Sequence, residues 1–261
     1  MLAPSHQTLS RQFSRADANP MLHAQYLGEM QRLRGRIYLS DGAIQPWQLT
    51  ADGRHQLDTD ERSWHLLLMD AQGQVCGCAR YLPYDPETPF EQLGVRSAAL
   101  AEMAPWSGAF RAAAETELAK ARQRRISYAE VGGWAIDEEH RGTRDALRVA
   151  LATFALGQLL GQCIGMTTAT VRHGSAGILR KIGGAPLAFE GREMPAYYDP
   201  QYDCEMQILR FDSSQPNPRY AEWVGRLREE LEMAPVIFRK SGTFSHIFPE
   251  SAGFNLHGYV S

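Results

Sequence analysis

Apolar residues recur at every third or fourth position between residues 21 and 40, where Leu22, Tyr26, Met30, Leu33 and Ile37 share one face. This period predicts an amphipathic helix packed on a core. The pattern stops at residue 41, and residues 41–61 are rich in Gly, Pro and Asp. We expect a long loop there, and loops of that length often carry function.

Two short apolar runs follow, SWHLLLMD and QVCGCARYLP, joined by Ala71, Gln72 and Gly73. Runs of this length with a short glycine-containing connection predict a hairpin of two strands. An irregular stretch comes next, and then a short helix is expected over residues 98–104. A second helix is expected over residues 110–125, because its basic residues are gathered at its carboxyl end.

The centre of the chain alternates between strand and helix patterns. A strand is predicted over residues 127–137, a helix over 143–160, a strand over 164–171 and a helix over 174–181. This succession predicts two neighbouring parallel strands with a right-handed crossover. A strand near residues 205–211 and a helix over 218–232 complete the pattern.

Composition narrows the class of protein. With 44% hydrophobic residues, 22% charged residues and a net charge of -3, the chain resembles an ordinary soluble protein, and no excess of positive charge favours nucleic acid. We expect a mobile arm over residues 1–20, one domain over 21–235 and an aromatic tail over 236–261. Two interpretations of the tail are open: that it folds over a cleft, or that it pairs two copies as a homodimer.

The four cysteines are sparse and irregularly spaced, so neither a disulfide framework nor a metal site is predicted. This favours a reducing cytoplasm. No run approaches the roughly 20 apolar residues that cross a bilayer, so no membrane span is expected.

The central strand contains two adjacent glycines, Gly132 and Gly133. Such a pair weakens a strand, and either a bulge or the close approach of a ligand would account for it. At the predicted start of the next helix, free amide groups lie beside Arg141 and Arg144, which predicts an anion site. A solvated arginine-rich turn is the alternative.

The strand, turn and helix resemble the acyl-coenzyme A binding motif of the GNAT-type N-acyltransferases, which matches here as Arg141-Gly142-Thr143-Arg144-Asp145-Ala146. Arg144 replaces a glycine of that motif. The resemblance implies a single α/β (α+β) domain with a central mixed, mostly antiparallel sheet, one splayed parallel strand pair and flanking helices. It also implies that the donor is held by Trp134, Ala135, Ile136, Arg141, Gly142, Thr143, Arg144 and Ala146.

The flanks are similar to the acyl-homoserine-lactone synthases and the related N-acyl amino acid synthases. The similar positions are Arg34, Tyr38, Trp47, Asp58, Glu61, Arg80 and Glu130. Where the lactone synthases carry Ser-Arg-Phe, this chain has Gly132, Gly133 and Trp134. The missing arginine and the segment PAYYDPQYDCEMQIL favour the N-acyl amino acid branch.

Amide formation needs a base for the amine and a proton for the leaving thiolate. We expect Glu130 to be the base, and Tyr197 or Tyr198 to serve the thiolate. The alternative for Glu130 is a strand-edge glutamate paired with an arginine. The alternative for the two tyrosines is that they only anchor a loop. Binding of the amine substrate is assigned to Arg34, Tyr38, Trp47, Asp58, Glu61 and Arg80. As ordinary surface ion pairs, Arg80, Asp58 and Glu61 would carry no function.

The sequence therefore predicts an N-acyltransferase that acts on the amine of a small molecule, with an amino acid favoured. Its acyl donor is acyl-CoA or the phosphopantetheine of an acyl carrier protein, and no tightly bound cofactor is expected. An acidic carrier protein is expected to dock on Lys120, Arg122, Arg124 and Arg125, unless these are only a solvated helix end. The alternatives are a non-catalytic acyl-thioester sensor, an acyl-homoserine-lactone synthase and a structural dimerisation protein.

Overall fold

A computed structural model describes residues 1–5, 9, 12–172 and 174–239. Its helices are α1 (Pro20–Ser40), α2 (Ser107–Arg124), α3 (Arg144–Leu159), α4 (Ser175–Ile182) and α5 (Ala221–Met233). Its strands are β1 (Ala16–Ala18), β2 (Trp64–Met69), β3 (Val75–Tyr84), β4 (Ser127–Ile136), β5 (Cys163–Thr170), β6 (Ala185–Pro186), β7 (Ala188–Phe189), β8 (Arg192–Glu193), β9 (Tyr197–Asp199), β10 (Cys204–Asp212) and β11 (Val236–Phe238). Single 3₁₀ turns lie at Pro46–Gln48, Asp60–Arg62, Phe90–Gln92, Gly94–Ser97, Ala99–Ala101, Glu138–His140 and Pro218–Tyr220.

The main sheet follows the order β2-β3-β4-β5-β10-β6, and β9 also pairs with β10. Each of these neighbouring pairs is antiparallel except β4 with β5, which is parallel. The predicted hairpin is β2 with β3, and the predicted central unit is β4-α3-β5-α4. The predicted mixed, mostly antiparallel sheet is confirmed.

The parallel pair separates partway along its length. Residues 127–130 of β4 pair with residues 163–166 of β5, and the described pairing ends there. On its other side β4 carries a bulge, because Arg80 pairs with Gly132 while Cys78 pairs with Ala135. The extra residue on β4 increases the local bend of that strand. The separated strands and the bulge together open a gap in the middle of the sheet.

Helices cover both faces of the sheet. Cys78 of β3 packs with α1 and Tyr128 of β4 packs with α2, so these two helices share one face. Ala129 and Tyr81 point to the opposite face and pack with α3 and α5. The strongly apolar α3 is buried along most of its length, as expected for a helix that crosses between two parallel strands.

Part of the expected mobile arm packs against the core, where Leu2, Ala3, Leu9 and Phe13 are buried. Leu2 is completely buried and forms bridges with both His65 and Ile237. Strand β1 pairs in parallel with β11, which lies in the segment expected as a tail. The proposed boundaries at residues 20 and 235 therefore do not mark edges of the packed body, and the rest of the tail, from residue 240, lies outside the described residues. In the part that is described, each helix is too short or too polar to cross a membrane.

Candidate active site

A cleft with a volume of about 350 Å³ occupies the gap between β4 and β5. It passes through the sheet, since its lining includes Arg80 and Glu130 from the α1 and α2 face and Ala150 and Leu179 from α3 and α4 on the other face. Further lining residues are Tyr38, Asp41, His55, Thr59, Leu82, Val95, Ala98, Gly132, Gly133, Trp134, Met166, Thr167, Asp199, Gln201, Tyr202 and Met206. Tyr38, His55, Thr59 and Arg80 give the cleft a polar face beside α1, whereas Val95, Ala98 and Met166, which pack in the core around α2, line it with apolar side chains.

Glu130 is a buried carboxylate at the point where the parallel strands part, with only 4% of its surface exposed. Its Oε1 accepts a hydrogen bond from the Val95 backbone N–H at 3.0 Å, and its Oε2 accepts one from the Tyr84 hydroxyl at 3.3 Å. Burial raises the pKa of Glu130, although the Val95 hydrogen bond and the nearby charge of Arg80 act against that rise. A carboxyl group with a raised pKa in a cleft is suited to accept a proton.

The loop beside Glu130 approaches it very closely. A Cβ added at Gly94 would overlap Glu130 Oε2, so any larger residue there would force the Glu130 carboxylate to move. Among the described residues Glu130 forms no ion pair with an arginine, which was its alternative interpretation. It instead joins β4 to the turn at residues 94–97, and this structural role coexists with its position in the cleft.

Beneath the polar face lies a buried ion pair between Arg34 and Asp60. Arg34 is completely buried, and it donates from Nη2 to Asp60 Oδ2 at 2.7 Å and from Nη1 to Oδ1 at 3.0 Å. Arg34 also donates to the His55 carbonyl, and Gln31 donates to Asp60 Oδ2 at 2.9 Å. Burial opposes ionisation of Asp60, but the hydrogen bonds and charge of Arg34 outweigh it and lower the pKa of Asp60.

The acid that pairs with Arg34 is therefore Asp60, whereas the sequence prediction named the neighbouring acids Asp58 and Glu61. Asp58 is exposed, and Glu61 is an exposed acid that accepts a hydrogen bond from Arg239 Nη1 at 2.8 Å. Trp47 has 79% of its surface exposed. None of these three side chains lines the cleft.

Arg80 and Tyr38 do line the cleft. Arg80 donates from Nη1 to the Thr59 hydroxyl, its Nε is buried without a partner, and no described carboxylate forms an ion pair with it. The Tyr38 ring lies 5.6 Å from the ring of His55, and burial raises the pKa of Tyr38. Burial and the charge of Arg34 lower the pKa of His55 to about 4, so His55 is neutral near pH 7.

The two tyrosines chosen for the leaving thiolate lie elsewhere. Tyr197 is 2% exposed inside the apolar core around α2, and Tyr198 is 57% exposed and donates to Asp203 Oδ1 at 2.5 Å. Tyr202, in the loop between β9 and β10, lines the cleft instead, and its hydroxyl has no hydrogen-bond partner among the described residues. Burial raises the pKa of Tyr202, and the charge of Arg80 acts in the opposite direction.

The residues predicted to bind the acyl donor fall into two groups. Trp134 lines the cleft with its indole N–H buried and unpartnered, whereas Ala135 and Ile136 pack in the core, where Ala146 lies against Ile136.

The remaining four assigned residues are the turn Arg141 to Thr143 and the first residue of α3, Arg144. Gly142 has a positive φ of 71°, and the Thr143 hydroxyl caps α3 by accepting from Asp145 N at 3.1 Å. Arg141 and Arg144 are exposed beside this helix start, and Arg141 pairs with Asp41.

The basic end of α2 is largely neutralised by local acids. Lys120 lies 2.6 Å from Glu117, Arg122 lies 3.6 Å from Glu87, and Arg124 pairs with the buried Asp212. Arg125, at φ 56°, ends the helix and is exposed.

Comparison with known proteins relates this fold to solved structures. The CoA-dependent acyl-homoserine lactone synthase BjaI, solved with MTA, is 15% identical, and the match covers 84% of this chain and 88% of that one with a TM-score of 0.51. MesI, another CoA-dependent acyl-homoserine lactone synthase, is 16% identical over 84% and 94% of the two chains, with a TM-score of 0.50. FeeM, an N-acyl amino acid synthase from uncultured soil microbes, is 14% identical over 71% and 90%, with a TM-score of 0.43.

The chain therefore has the GNAT-like acyltransferase fold. More narrowly, it has the form of that fold seen in the acyl-homoserine lactone synthases. No model of a known protein family matches the sequence, and no curated protein matches it.

Proposed function

We propose that this protein is an N-acyltransferase that moves an acyl group from a thioester to the amine of a small molecule carrying a carboxylate, such as an amino acid. The observation that carries the proposal is the position of Glu130, a buried carboxylate with a raised pKa at the mouth of the gap between two diverging parallel strands. The fold supports the reaction class, and the residues of the cleft supply its parts.

The chemistry requires removal of a proton from the amine as it attacks the thioester carbonyl. Glu130 accepts that proton, directly or through one water molecule. The tetrahedral oxyanion needs hydrogen-bond donors. Backbone N–H groups of β4 beyond Glu130 are candidates, because the pairing with β5 ends at Glu130 and the bulge interrupts the pairing with β3 between Gly132 and Ala135.

The amine substrate enters from the polar face of the cleft. Arg80 is a half-buried guanidinium without a carboxylate partner among the described residues, and a substrate carboxylate supplies one. Tyr38 and Tyr202 stand on the same side of the cleft. Tyr202 donates a proton or a hydrogen bond to the leaving thiolate in place of Tyr197 and Tyr198.

The acyl donor takes the remaining space. Its chain lies against apolar side chains of the cleft, namely Leu82, Val95, Ala98 and Met166. Its phosphates lie near the start of α3, at Arg141 to Thr143. The donor is an acyl-CoA, in keeping with the CoA dependence of BjaI and MesI, or the phosphopantetheine arm of an acyl carrier protein.

The test is release of free thiol from a panel of acyl-CoA and acyl carrier protein donors, with amino acids, the matching amines without a carboxylate, and S-adenosylmethionine as acceptors. S-adenosylmethionine is included because a BjaI structure contains it. We expect release with amino acids, and weaker release with the decarboxylated amines. Glu130→Gln lowers kcat by about 10²-fold or more, whereas the exposed Glu139→Gln leaves kcat unchanged.

Other outcomes are equally informative. Donor binding without turnover across the whole panel rejects the transferase in favour of a thioester sensor. Release with S-adenosylmethionine but with no amino acid moves the assignment to lactone synthesis. Full activity in Glu130→Gln removes Glu130 from the mechanism.

A further inference from the structure

The carboxyl end of α1 is fastened to the turn that follows β4. Arg36 Nη2 lies 2.6 Å from Asp137 Oδ2, and the Ser40 hydroxyl donates to Glu138 at 3.4 Å. At the end of the helix, both Asp41 carboxylate oxygens accept from Arg141 Nη2, each at 3.0 Å. These contacts join parts of the chain about 100 residues apart, with Asp41 in the lining of the cleft.

A second arginine reaches the same residue from the other side of the gap. Arg172 follows β5, and its Nη2 donates to the Asp41 carbonyl at 3.0 Å. The chain segments after α1, after β4 and after β5 therefore meet at Asp41. Arg141 and Arg172 bring two positive charges to this mouth, and the Asp41 carboxylate accepts from Arg141.

We propose that Asp41 is a donor-selecting residue, whose carboxylate occupies the Arg141 guanidinium that a phosphate-bearing thioester uses when it binds. This inference rests on the proposed function, since it assumes that the donor enters at the turn before α3. A phosphate group must displace Asp41 from Arg141, whereas a neutral pantetheine arm binds without that exchange. Asp41 thereby reduces the extra affinity that the phosphates give coenzyme A over a neutral pantetheine arm.

The expected change in coenzyme A affinity follows from the solvent exposure of the Arg141–Asp41 ion pair. The side chains of Arg141 and Asp41 are 41% and 21% exposed, so their ion pair is partly solvated and readily exchanged. Pairs of this kind have modest strength, and removing the competitor tightens coenzyme A binding by about 2- to 5-fold. Asp41→Asn keeps the side-chain shape and one hydrogen-bond acceptor, which leaves the end of α1 in place.

Calorimetric titration with coenzyme A and with pantetheine tests the inference in the intact protein. We expect Asp41→Asn to tighten coenzyme A by that factor and to leave pantetheine unchanged. Glu139→Gln removes the same charge two residues from Arg141 without touching it, and we expect a smaller change. In an Arg141→Gln background, the effect of Asp41→Asn disappears.

Equal tightening of both ligands, no tightening of coenzyme A, or tightening that persists without Arg141 overturns the inference. Its failure is separable from failure of the proposed function. Thiol release by the wild type with unchanged coenzyme A affinity in Asp41→Asn rejects the role of Asp41 alone. Absence of thiol release with every donor, alongside the expected shift in affinity, rejects the transferase and leaves the role of Asp41 standing.

Discussion

The Tyr84 hydroxyl donates to Glu130 Oε2 at 3.3 Å and accepts from the Gly94 N–H at 3.1 Å, so Tyr84 couples the candidate base to the neighbouring turn. This hydrogen bond favours the ionised carboxylate and holds the pKa of Glu130 below the value that burial alone would give. Tyr84 is therefore a positioning residue for the proposed reaction.

Tyr84→Phe is expected to move the acidic limb of the pH–rate profile to higher pH. Glu130 must be ionised to accept a proton, so activity rises with pH through its pKa, and loss of the Tyr84 hydrogen bond raises that pKa further. The profile of kcat against pH measures the shift. Tyr128→Phe is the matched control, because the Tyr128 ring lies 5.9 Å from Tyr84 and its buried hydroxyl has no partner among the described residues. An unmoved limb in Tyr84→Phe argues against Glu130 as the base.

Asp60→Asn is expected to destabilise the fold by about 3–5 kcal/mol, because it leaves the buried Arg34 without a counter-charge. Denaturant unfolding measures the loss. The exposed neighbour offers a control, and Asp58→Asn changes stability by no more than about 0.5 kcal/mol. The lowered pKa of Asp60 means that its contribution is present above its ordinary pKa and is lost as pH falls through the folded-state pKa, so wild type and Asp60→Asn converge in acid. Equal losses in the two variants contradict this assignment.

Gly133→Ala is expected to harm both folding and catalysis. Gly133 has φ 60°, and an added Cβ would lie 3.1 Å from Arg80 Cβ and 3.4 Å from Arg34 Nη1, so the bulge and Arg80 must shift. We expect kcat/KM to fall at least about tenfold, since small displacements of a substrate-binding group are costly. Gly73→Ala shares the positive φ, at 78°, but meets no atom within 4 Å, and it loses only about 1–2 kcal/mol of stability. Similar losses of kcat/KM in Gly133→Ala and Gly73→Ala would argue against a specific role of the bulge in catalysis.

Tyr202→Phe is expected to lower kcat by about 10²-fold if its hydroxyl serves the leaving thiolate. The ring and its packing are kept, so a tyrosine that only fills space predicts unchanged kcat and KM. Tyr198→Phe is the comparison, because it removes an exposed hydroxyl that contacts Asp203 outside the cleft. Assays with donors whose thiols differ in acidity sharpen the test: an acidic leaving thiol reduces the defect of Tyr202→Phe and leaves Tyr198→Phe unaffected.

Reversing Arg122 and Arg125 to Glu is expected to raise KM for an acyl carrier protein donor by about tenfold while sparing acyl-CoA, because rim charges steer an acidic partner. Arg124 is unsuitable for this test, since its partner Asp212 is only 4% exposed and would be left unpaired. Reversing Arg226 and Arg228 on α5 supplies a control with the same change in net charge. Equal loss with both donors, or equal loss in the control, rejects docking at the end of α2.

The succession β4-α3-β5-α4 is readable from the sequence because each element is set by local spacing, and the parallel pairing follows from a short crossover. Glu130 is found for the same reason, since it lies on a predicted strand two residues before the glycine pair. The position of the bulge at Gly133 also follows from those glycines. These features depend on residues that are close together in the sequence.

The polar face of the cleft depends on distant contacts and is harder to predict. Three acids, Asp58, Asp60 and Glu61, lie in one loop, and no local pattern tells which of them meets Arg34, 26 residues before Asp60. The choice among Tyr197, Tyr198 and Tyr202 is equally hard to make from the sequence. Strand alternation buries Tyr197 and exposes Tyr198. A local contact also holds Asp60 in its turn, where the Leu57 N–H donates to Asp60 Oδ2 at 3.1 Å.

The pairing of β1 with β11 has a consequence for the order of events during synthesis. The residues named in the cleft, from Tyr38 to Met206, are all synthesised before β11, whereas the first strand must wait for the last to find its partner. Closing so long a loop carries a larger entropic cost than forming the hairpin of β2 and β3. We therefore expect the seam between the two ends to be the last part to assemble and the first to exchange its amide hydrogens.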